Sequence, residues 1–413
     1  MTDFSGRAGL SAPRPPAGGP PGGAAGGDDR LRVMVVDDSA IIRGLLTRTL
    51  ESDPLIRVVA SVGDGQMALN TVARQPVDVI VLDIEMPVMD GLTALPKLAA
   101  AAPHAKIVMA STLTAKNADI SLRAMANGAA DYVTKPSSTR ELGGAELFKR
   151  ELVEKVKALG TRARQGNPNA TAPAPLRAAP GGAAPAGAPA SGAGTPAPTI
   201  LNTLRARGEP AQIRLQPAKT DKPDIIAIGS STGGPQALFE VLGHLAGVPQ
   251  PILITQHMPP TFTTILAEHI TRQCRLTCAE GVDGEPIVGG RAYVAPGDFH
   301  MTVVQKGGVN CIALSKDPPE NFCRPAVDPM MRSIVRAYGR RILAIILTGM
   351  GQDGMKGCDG VVAAGGQVLA QDEASSVVWG MPGAVAMAGL CSAVLPLKEL
   401  GPHIRKLALR TAA

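Results

Sequence analysis

Three polar side chains in the second half of the chain each follow a segment that predicts a buried strand. Ser231 lies in the turn GSSTGG after DIIAIG, His257 follows PILITQ, and Asp353 lies in GMGQDG after RILAIILTG. Because the carboxyl ends of parallel strands share one edge of a sheet, we expect these side chains to meet there. In a Ser-His-Asp arrangement the histidine takes the proton of the serine, and the aspartate fixes the imidazole tautomer. The spacing therefore predicts nucleophilic catalysis by a serine.

Each of these residues also has a simpler interpretation. GSSTGG alone equally fits a phosphate-binding turn or a serine-rich helix cap, and it lacks the Walker A, G-x-S-x-G and G-x-G-x-x-G patterns. His300 is the alternative histidine, and Asp353 could simply cap the helix that follows it. Asp359 and Asp372 are alternative carboxylates, but they lie farther from the strand end. We favour the catalytic interpretation because the serine, the histidine and the aspartate all follow buried strands.

Polar side chains also end the predicted strands of the first half of the chain. They comprise three carboxylates, two hydroxyls and one amine: Asp37, Asp38, Asp83, Ser111, Thr112 and Lys135. Carboxylates at one edge of a sheet repel each other unless a cation lies between them, and oxygen ligands with retained water favour Mg²⁺. The amine can pair with a phosphoryl oxygen, and a hydroxyl can donate to another. Helix capping would explain one of the aspartates but not the whole set.

The elements that position these residues alternate between strands and helices in two modules. Continuous apolar strands followed by helical patterns predict parallel sheets covered on both faces. Residues 30–160 are predicted to form a flavodoxin-like (βα)5 domain, and residues 222–413 a larger α/β domain with a doubly wound, mainly parallel sheet. The Gly-, Ala- and Pro-rich segments over 1–29 and 161–221 cannot bury a core, so we expect a disordered tail and a linker.

The composition excludes several functional classes. Only 2% of the 413 residues are aromatic, which argues against a protein that stacks single-stranded bases. The net charge of +6 forms no basic stripe, and no helix-turn-helix pattern follows the linker, so we predict no nucleic-acid partner. The six cysteines lack zinc-finger spacing, and we expect them to be reduced, buried and apolar. Without a membrane-length apolar run or a signal-peptide core, the sequence predicts a cytoplasmic protein that does not insert into a membrane.

The first module resembles the receiver domain of two-component response regulators over nearly its whole length. The resemblance implies that Asp83 is the phosphoacceptor and that it holds Mg²⁺ together with Asp37 and Asp38. It also implies that Lys135 contacts the phosphoryl group. The implied switch hydroxyl is the first of the Ser111–Thr112 pair, with the second as the competing choice.

The segments GSSTGGPQAL, ITQHMPPTFT, YVAPGDFHM and ILTGMGQDGM together resemble the catalytic domain of the chemotaxis protein-glutamate methylesterase/protein-glutamine glutaminase family. The receiver-like module stands in front of this domain, which is the order of the family. The resemblance implies that Ser231 is the nucleophile, with Ser230 as the main alternative hydroxyl. It implies that His257 is the base and acid, and that Asp353 orients the imidazole.

The resemblance also implies substrates, partners and control. The enzyme would demethylate glutamate methyl esters on methyl-accepting chemoreceptors, release methanol, and deamidate receptor glutamines through a covalent serine ester. Backbone amides near Thr232 and Met350 would be the oxyanion donors. A histidine kinase would phosphorylate Asp83 and uncover an active site that the unphosphorylated receiver blocks; Mg²⁺ would serve the receiver, and the esterase reaction would need no cofactor. The alternative from another class is a non-catalytic response regulator whose second domain binds a protein.

Overall fold

The structure is a computed structural model that describes residues 29–112, 114–135, 142–165 and 213–410. The predicted tail and most of the predicted linker therefore lie outside the described residues. The linker was predicted to begin at residue 161, but the last helix of the first module continues to Gln165. The domain limits themselves stay a prediction.

The first module alternates five strands and five helices among the described residues. The elements are β1 (Leu31–Val36), α1 (Ala40–Glu51), β2 (Ile56–Val62), α2 (Gly65–Val72), β3 (Val79–Asp83), α3 (Gly91–Ala101), β4 (Lys106–Thr112), α4 (Ala115–Ala126), β5 (Asp131–Lys135) and α5 (Leu142–Gln165). The strands form one parallel sheet in the order β2-β1-β3-β4-β5. This is the flavodoxin-like order, in which the chain reverses direction across the sheet at β1 and β3.

Local chemistry explains where these helices begin. The N-cap side chains of α1 to α4 each accept a hydrogen bond from a backbone N–H of the first turn: Ser39, Asp64, Asp90 and Thr114. Such caps satisfy N–H groups that the helix itself leaves without partners. Asp38 and Asp83 are not among these N-cap residues, so helix capping does not explain either of them.

The second module contains a larger set of elements. They are β6 (Ile225–Ser230), α6 (Gly234–Leu242), β7 (Ile252–Gln256), α7 (Phe262–Cys274), β8 (Cys278–Glu280), β9 (Ala292–Val294), β10 (His300–Lys306), β11 (Val309–Ser315), α8 (Val327–Tyr338), β12 (Ile342–Ile346), α9 (Met355–Ala363), β13 (Gln367–Gln371), α10 (Met381–Met387), β14 (Ala393–Leu395) and α11 (Leu397–Ala408). Seven strands form a parallel sheet in the order β14-β13-β12-β6-β7-β9-β8. The hairpin of β10 and β11, the short strands β8 and β14, and α11 were not among the predicted elements.

Both faces of the larger sheet are buried, as its continuous apolar strands predict. In β6, Ile226 and Ile228 join one apolar cluster, while Ile225 and Ala227 join the cluster on the opposite face. The chain reverses direction at β6, which pairs with β7 on one side and with β12 on the other. Ligands of doubly wound folds bind at the carboxyl ends of the strands at such a point. The predicted fold class, two α/β domains with parallel sheets, is confirmed.

The two domains pack against each other directly. Tyr132 of β5 stacks on Phe262, the first residue of α7, with ring centroids 4.4 Å apart. His269 of α7 contacts Asp119 of α4, with 2.8 Å between Nε2 and Oδ1. Gln236 of α6 donates to the backbone oxygen of Met125 at the end of α4. One apolar cluster includes residues of both domains, so their cores are continuous across this interface.

Candidate active site

A cavity of about 740 Å³ lies at the carboxyl ends of β6, β7 and β12. Ser231, His257 and Asp353 follow these three strands in turn, and all three line the cavity. The strands are neighbours in the sheet, so the three side chains meet although the chain places them far apart. The structure therefore brings the three residues predicted for the catalytic site together at the point where the strand order reverses.

The two serines of the GSSTGG turn have different environments. Ser230 is fully buried, and its hydroxyl donates to Oε1 of Gln256 at 2.7 Å. Ser231 is partly exposed and lines the cavity. The glycine at position 349 leaves room for the Ser231 side chain, because a Cβ on Gly349 would lie only 2.9 Å from the Cβ of Ser231. The geometry favours Ser231 over Ser230 as the nucleophile.

His257 uses its two ring nitrogens differently. Nε2 lies 2.8 Å from Oδ2 of Asp353, and Nδ1 lies 3.4 Å from Sγ of Cys323. Burial alone would lower the pKa of His257, but Cys323 and the Asp353 carboxylate raise it to about 10. Only the neutral imidazole can act as a general base, so these two contacts stabilise the charged ring relative to the form that accepts a proton.

Asp353 is buried and held by several donors at once. Besides His257, the backbone N–H groups of Val327 and Asp328, at the start of α8, donate to it at 2.6 and 3.1 Å. Gly354 N–H donates at 2.9 Å. Burial alone would raise the pKa of Asp353, but the bonds from His257 and from these backbone groups outweigh it and hold the pKa below its usual value. The carboxylate therefore stays ionised and fixes the imidazole from one side.

The alternative residues lie elsewhere or serve the fold. His300 accepts from the N–H of Ala326 through Nδ1 and contacts a backbone oxygen through Nε2, so both its nitrogens are used in packing. Asp359 is exposed on α9, and Asp372 accepts from Ser375 N–H after β13. The predicted oxyanion residues, Thr232 and Met350, both line the cavity.

Sequence reasoning missed a group of residues beside the triad. Asn321 donates to Oδ1 of Asp353 at 2.9 Å, and Asp328 lies next to that pair. Cys323 contacts His257 and lines the cavity, so the prediction that all six cysteines are buried and apolar is wrong for it. Cys278 is also only partly buried. The six cysteines are free thiols. No periodic pattern marks the segment that carries Asn321 and Cys323, so neither residue could be recognised from the sequence.

The acidic residues of the first domain converge as predicted. Oxygens of Asp37, Asp38 and Asp83 lie within 4.8 Å of one another at the carboxyl ends of β1 and β3. Nζ of Lys135 lies 2.6 Å from Oδ2 of Asp37 and 2.6 Å from Oδ1 of Asp83. Burial raises the pKa of Asp83 and Asp37 adds to the effect, while Lys135 opposes it. Three carboxylate oxygens at this spacing fit a hard divalent cation such as Mg²⁺.

The two candidate switch hydroxyls of β4 point to different partners. Ser111 is buried, with its Oγ 3.2 Å from Oγ of Ser121 on α4. Thr112 is exposed, accepts from Asn117 at 2.7 Å, and lies opposite Lys135 in the register of β4 and β5. Residues paired in register on parallel strands face the same side of the sheet, so this placement favours Thr112, the competing choice.

The receiver-like domain forms one wall of the cavity. Side chains from α5, including Arg150, Glu151 and Lys155, line it together with the three predicted site residues. The guanidinium of Arg150 lies 3.3 Å from the ring centroid of Phe322, which is next to Asn321. Lys155 is buried, pairs with Glu151 at 2.8 Å and donates to Tyr132 O at 2.7 Å. The first domain therefore restricts access to the cavity in this arrangement.

Comparisons with known proteins agree with this architecture. Residues 226–404 match the family described as CheB methylesterase, and residues 33–145 match the response regulator receiver domain. None of the helices in the described part of the chain has both the length and the hydropathy to cross a bilayer.

Two relatives match almost the whole chain. The protein-glutamate methylesterase/protein-glutamine glutaminase of group 2 operon of Rhodospirillum centenum is 67% identical over 92% of this chain and 95% of that protein. The protein-glutamate methylesterase/protein-glutamine glutaminase of Azospirillum brasilense is 66% identical over 98% of this chain and 99% of that protein. The solved CheB methylesterase catalytic domain of Thermotoga maritima is 40% identical, covers 45% of this chain and 100% of that chain, and has a TM-score of 0.44.

Proposed function

This chain belongs to the protein-glutamate methylesterase/protein-glutamine glutaminase family, and from that premise we propose how its residues carry out and control the reaction. The enzyme is a serine hydrolase that removes methyl esters from glutamate side chains and deamidates glutamine side chains, with a response-regulator receiver in front. We propose that its substrates are methyl-accepting chemoreceptors, that a histidine kinase supplies the phosphoryl group, and that it acts in the cytoplasm. A non-catalytic regulator is not favoured, because the relatives that match almost the whole chain are named as hydrolases.

The hydrolysis proceeds in two steps through a covalent ester. Ser231 Oγ attacks the side-chain carbonyl carbon of the methylated glutamate while His257 takes the hydroxyl proton. The tetrahedral intermediate collapses, the methoxy oxygen receives that proton, and methanol leaves. Water then attacks the glutamyl ester with His257 again as base, which frees glutamate and restores Ser231. A glutamine substrate follows the same path and releases ammonia.

The single observation that carries this mechanism is the hydrogen bond between His257 and Asp353 beside Ser231 in one cavity. Because Nε2 of His257 faces Asp353 at 2.8 Å, Nδ1, which contacts Cys323 Sγ at 3.4 Å, is the nitrogen that would take the proton of Ser231. Asp353 therefore holds the tautomer in which Nδ1 carries no proton when the ring is neutral. Backbone amides near Thr232 and Met350 are the proposed donors to the oxyanion.

The receiver is proposed to take a phosphoryl group on Asp83. Asp37, Asp38 and Asp83 would hold Mg²⁺, whose charge would offset the charge of the incoming phosphoryl oxygens. Lys135 would exchange its present carboxylate partners for a phosphoryl oxygen, and Thr112 or Ser111 would donate to another. These changes supply the energy difference that a two-state switch requires.

Control is proposed to pass from Asp83 to the cavity through β5. Lys135 ends this strand at the acidic pocket, and Tyr132 near its start stacks on Phe262 of the catalytic domain. Movement of Lys135 on phosphorylation therefore acts on a strand that is part of the interface. The phosphorylated receiver would release the wall formed by α5 and admit a receptor helix to Ser231.

Methanol release from a methylated chemoreceptor tests this function and its control together. We expect the full chain with Mg²⁺ to release methanol faster when a small-molecule phosphodonor is added. The Asp83→Ala variant should keep the basal rate and lose the increase. A chain that begins at residue 213 should be active without a phosphodonor, because it lacks the receiver wall. Equal rates for the truncated chain and the unphosphorylated full chain would contradict control by the receiver.

A further inference from the structure

The segment between β11 and α8 contains a tight turn whose backbone is unusual. Glu320 and Cys323 exchange two backbone hydrogen bonds of 3.1 and 2.9 Å, so Asn321 and Phe322 are the two central residues of the turn. Their φ angles are +51° and +64°. Asparagine tolerates this left-handed region, but a bulky phenylalanine is rare there. A strained turn persists only where the surrounding structure holds it, and such turns concentrate at functional sites.

Two residues of this turn contact different parts of the active site. Asn321 Nδ2 donates to Oδ1 of Asp353 at 2.9 Å and to Oδ2 of Asp328 at 3.0 Å. Cys323 lies 3.4 Å from His257 Nδ1. The amide of Asn321 is thus a bridge between two carboxylates, of which only Asp353 touches the catalytic histidine.

The two carboxylates need this bridge because they are buried side by side. Asp328 and Asp353 are each 1% exposed, and Asp328 also accepts from Gly357 N–H at 2.7 Å. The pKa of Asp328 lies above its usual value, because burial and the charge of Asp353 raise it more than the hydrogen bonds from Gly357 and Asn321 lower it. Without a donor between them, one carboxylate would take up a proton or turn away from the other.

From this geometry we propose that Asn321 is a positioning residue for hydrolysis, because its amide joins Asp328 to Asp353 and so holds Asp353 against His257. The proposal rests on the assignment of Asp353 and His257 under the proposed function. Asn321 lines the cavity, but its role is to act through Asp353 on the imidazole rather than on the substrate. Removal of the amide should leave substrate binding unchanged and impair the proton transfers.

Other charged and titratable groups face this pair and must be considered in any pH dependence. His257 faces Asp353 from the end of β7, and Cys323 faces His257 from the turn. From α8, Arg332 adds positive charge near both carboxylates but is itself paired with Glu320 at 2.9 Å. From α9, the Cys358 thiol is buried near both carboxylates, and burial together with their charge raises its pKa. The Nδ2 group of Asn321 donates to both carboxylates, so its removal takes a hydrogen bond from Asp328 and from Asp353.

Two substitutions at this position separate the amide from the backbone. Asn321→Gly keeps a residue that accepts the left-handed φ but removes the amide. We expect kcat to fall between about 10- and 100-fold, with KM unchanged. The acid limb of the pH profile should move to lower pH, because a carboxylate held less firmly against His257 raises the pKa of the imidazole less. Asn321→Asp keeps the shape but adds a third carboxylate. Its rate relative to Asn321→Gly should rise as the pH falls, because the added carboxyl group can donate only when it is protonated.

The measurement is methanol release from methylated receptor by the full chain at saturating phosphodonor, from about pH 5 to about pH 11, a range that spans the ordinary pKa of histidine and the raised pKa of His257, about 10. Melting temperatures identify conditions in which every variant is folded. Asn321→Gly with the kcat and acid limb of the wild type would overturn the proposal. A lower rate that follows only the unfolded fraction, with an unmoved acid limb, would also overturn it, since the role would then be structural. Failure of the wild type itself to release methanol would instead reject the proposed function.

Discussion

Replacement of Asp353 by asparagine changes one atom and tests the proposed triad in detail. The carboxylate accepts five hydrogen bonds, three at Oδ1 and two at Oδ2, from these groups: Asn321 Nδ2, Asp328 N, Gly354 N, His257 Nε2 and Val327 N. An asparagine offers one oxygen and one NH₂ group. The NH₂ group leaves fewer donors without an acceptor when it replaces Oδ2, so we expect it to face His257 and Val327.

This orientation determines how far the substitution should lower both the catalytic rate and the stability of the fold. Val327 N–H loses its acceptor, and His257 can accept from the new NH₂ only through an unprotonated Nε2. The neutral imidazole then carries its proton on Nδ1, the nitrogen that must take the proton of Ser231. The wrong tautomer is expected to lower kcat about 10⁴-fold, which corresponds to about 5.5 kcal/mol of transition-state stabilisation. One or two buried donors without full partners should also lower the free energy of unfolding by about 1–6 kcal/mol, at about 1–3 kcal/mol each.

The assay is kcat/KM for methanol release at saturating phosphodonor, below the melting temperature of the variant. Asp359→Asn is the matched control, because Asp359 is an exposed aspartate on the helix that follows the same turn. We expect the control to behave as the wild type. A folded Asp353→Asn enzyme within about tenfold of the wild-type rate would refute the tautomer argument, since the expected loss is about 10⁴-fold.

Two further predictions concern the surroundings of the triad. Cys323→Ala removes one of the two groups that raise the pKa of His257 to about 10, so this pKa should fall. Because the neutral form is the base, the acid limb of kcat/KM should then move to lower pH, and an unmoved limb would show that the thiol has no such effect. Arg150→Ala removes the contact with the Phe322 ring at 3.3 Å, worth about 1 kcal/mol, and should raise the unphosphorylated rate about fivefold without changing the fully phosphorylated rate. An unchanged unphosphorylated rate would mean that this contact does not hold the receiver in place.

The triad could be predicted from the sequence because each member follows a continuous apolar strand. Parallel strands bring their carboxyl ends to one edge, so Ser231, His257 and Asp353 could be placed together without coordinates. The acidic pocket around Asp83 was predictable for the same reason. The choice between adjacent hydroxyls was harder, since only the structure shows that the Ser230 hydroxyl is buried against Gln256 while Ser231 lines the cavity.

The residues that the sequence did not reveal are defined by contacts between distant segments. Asn321 and Cys323 lie in an irregular turn, and their roles depend on where α8 and β12 place Asp353. The interface between the domains depends likewise on the stacking of Tyr132 on Phe262, which no local pattern encodes. The β10–β11 hairpin was missed because an antiparallel pair inserted between parallel strands has no signal in the alternation of helices and strands.

The most direct test of the central claim compares Ser231→Ala with Ser230→Ala in methanol release from a methylated chemoreceptor with phosphodonor present. Ser231→Ala should abolish release, because the covalent ester cannot form. Ser230→Ala should keep catalysis, since Ser230 is buried against Gln256, and its loss should appear mainly as a lower melting temperature. Activity in Ser231→Ala together with inactivity in a folded Ser230→Ala enzyme would contradict the account and move the nucleophile by one residue.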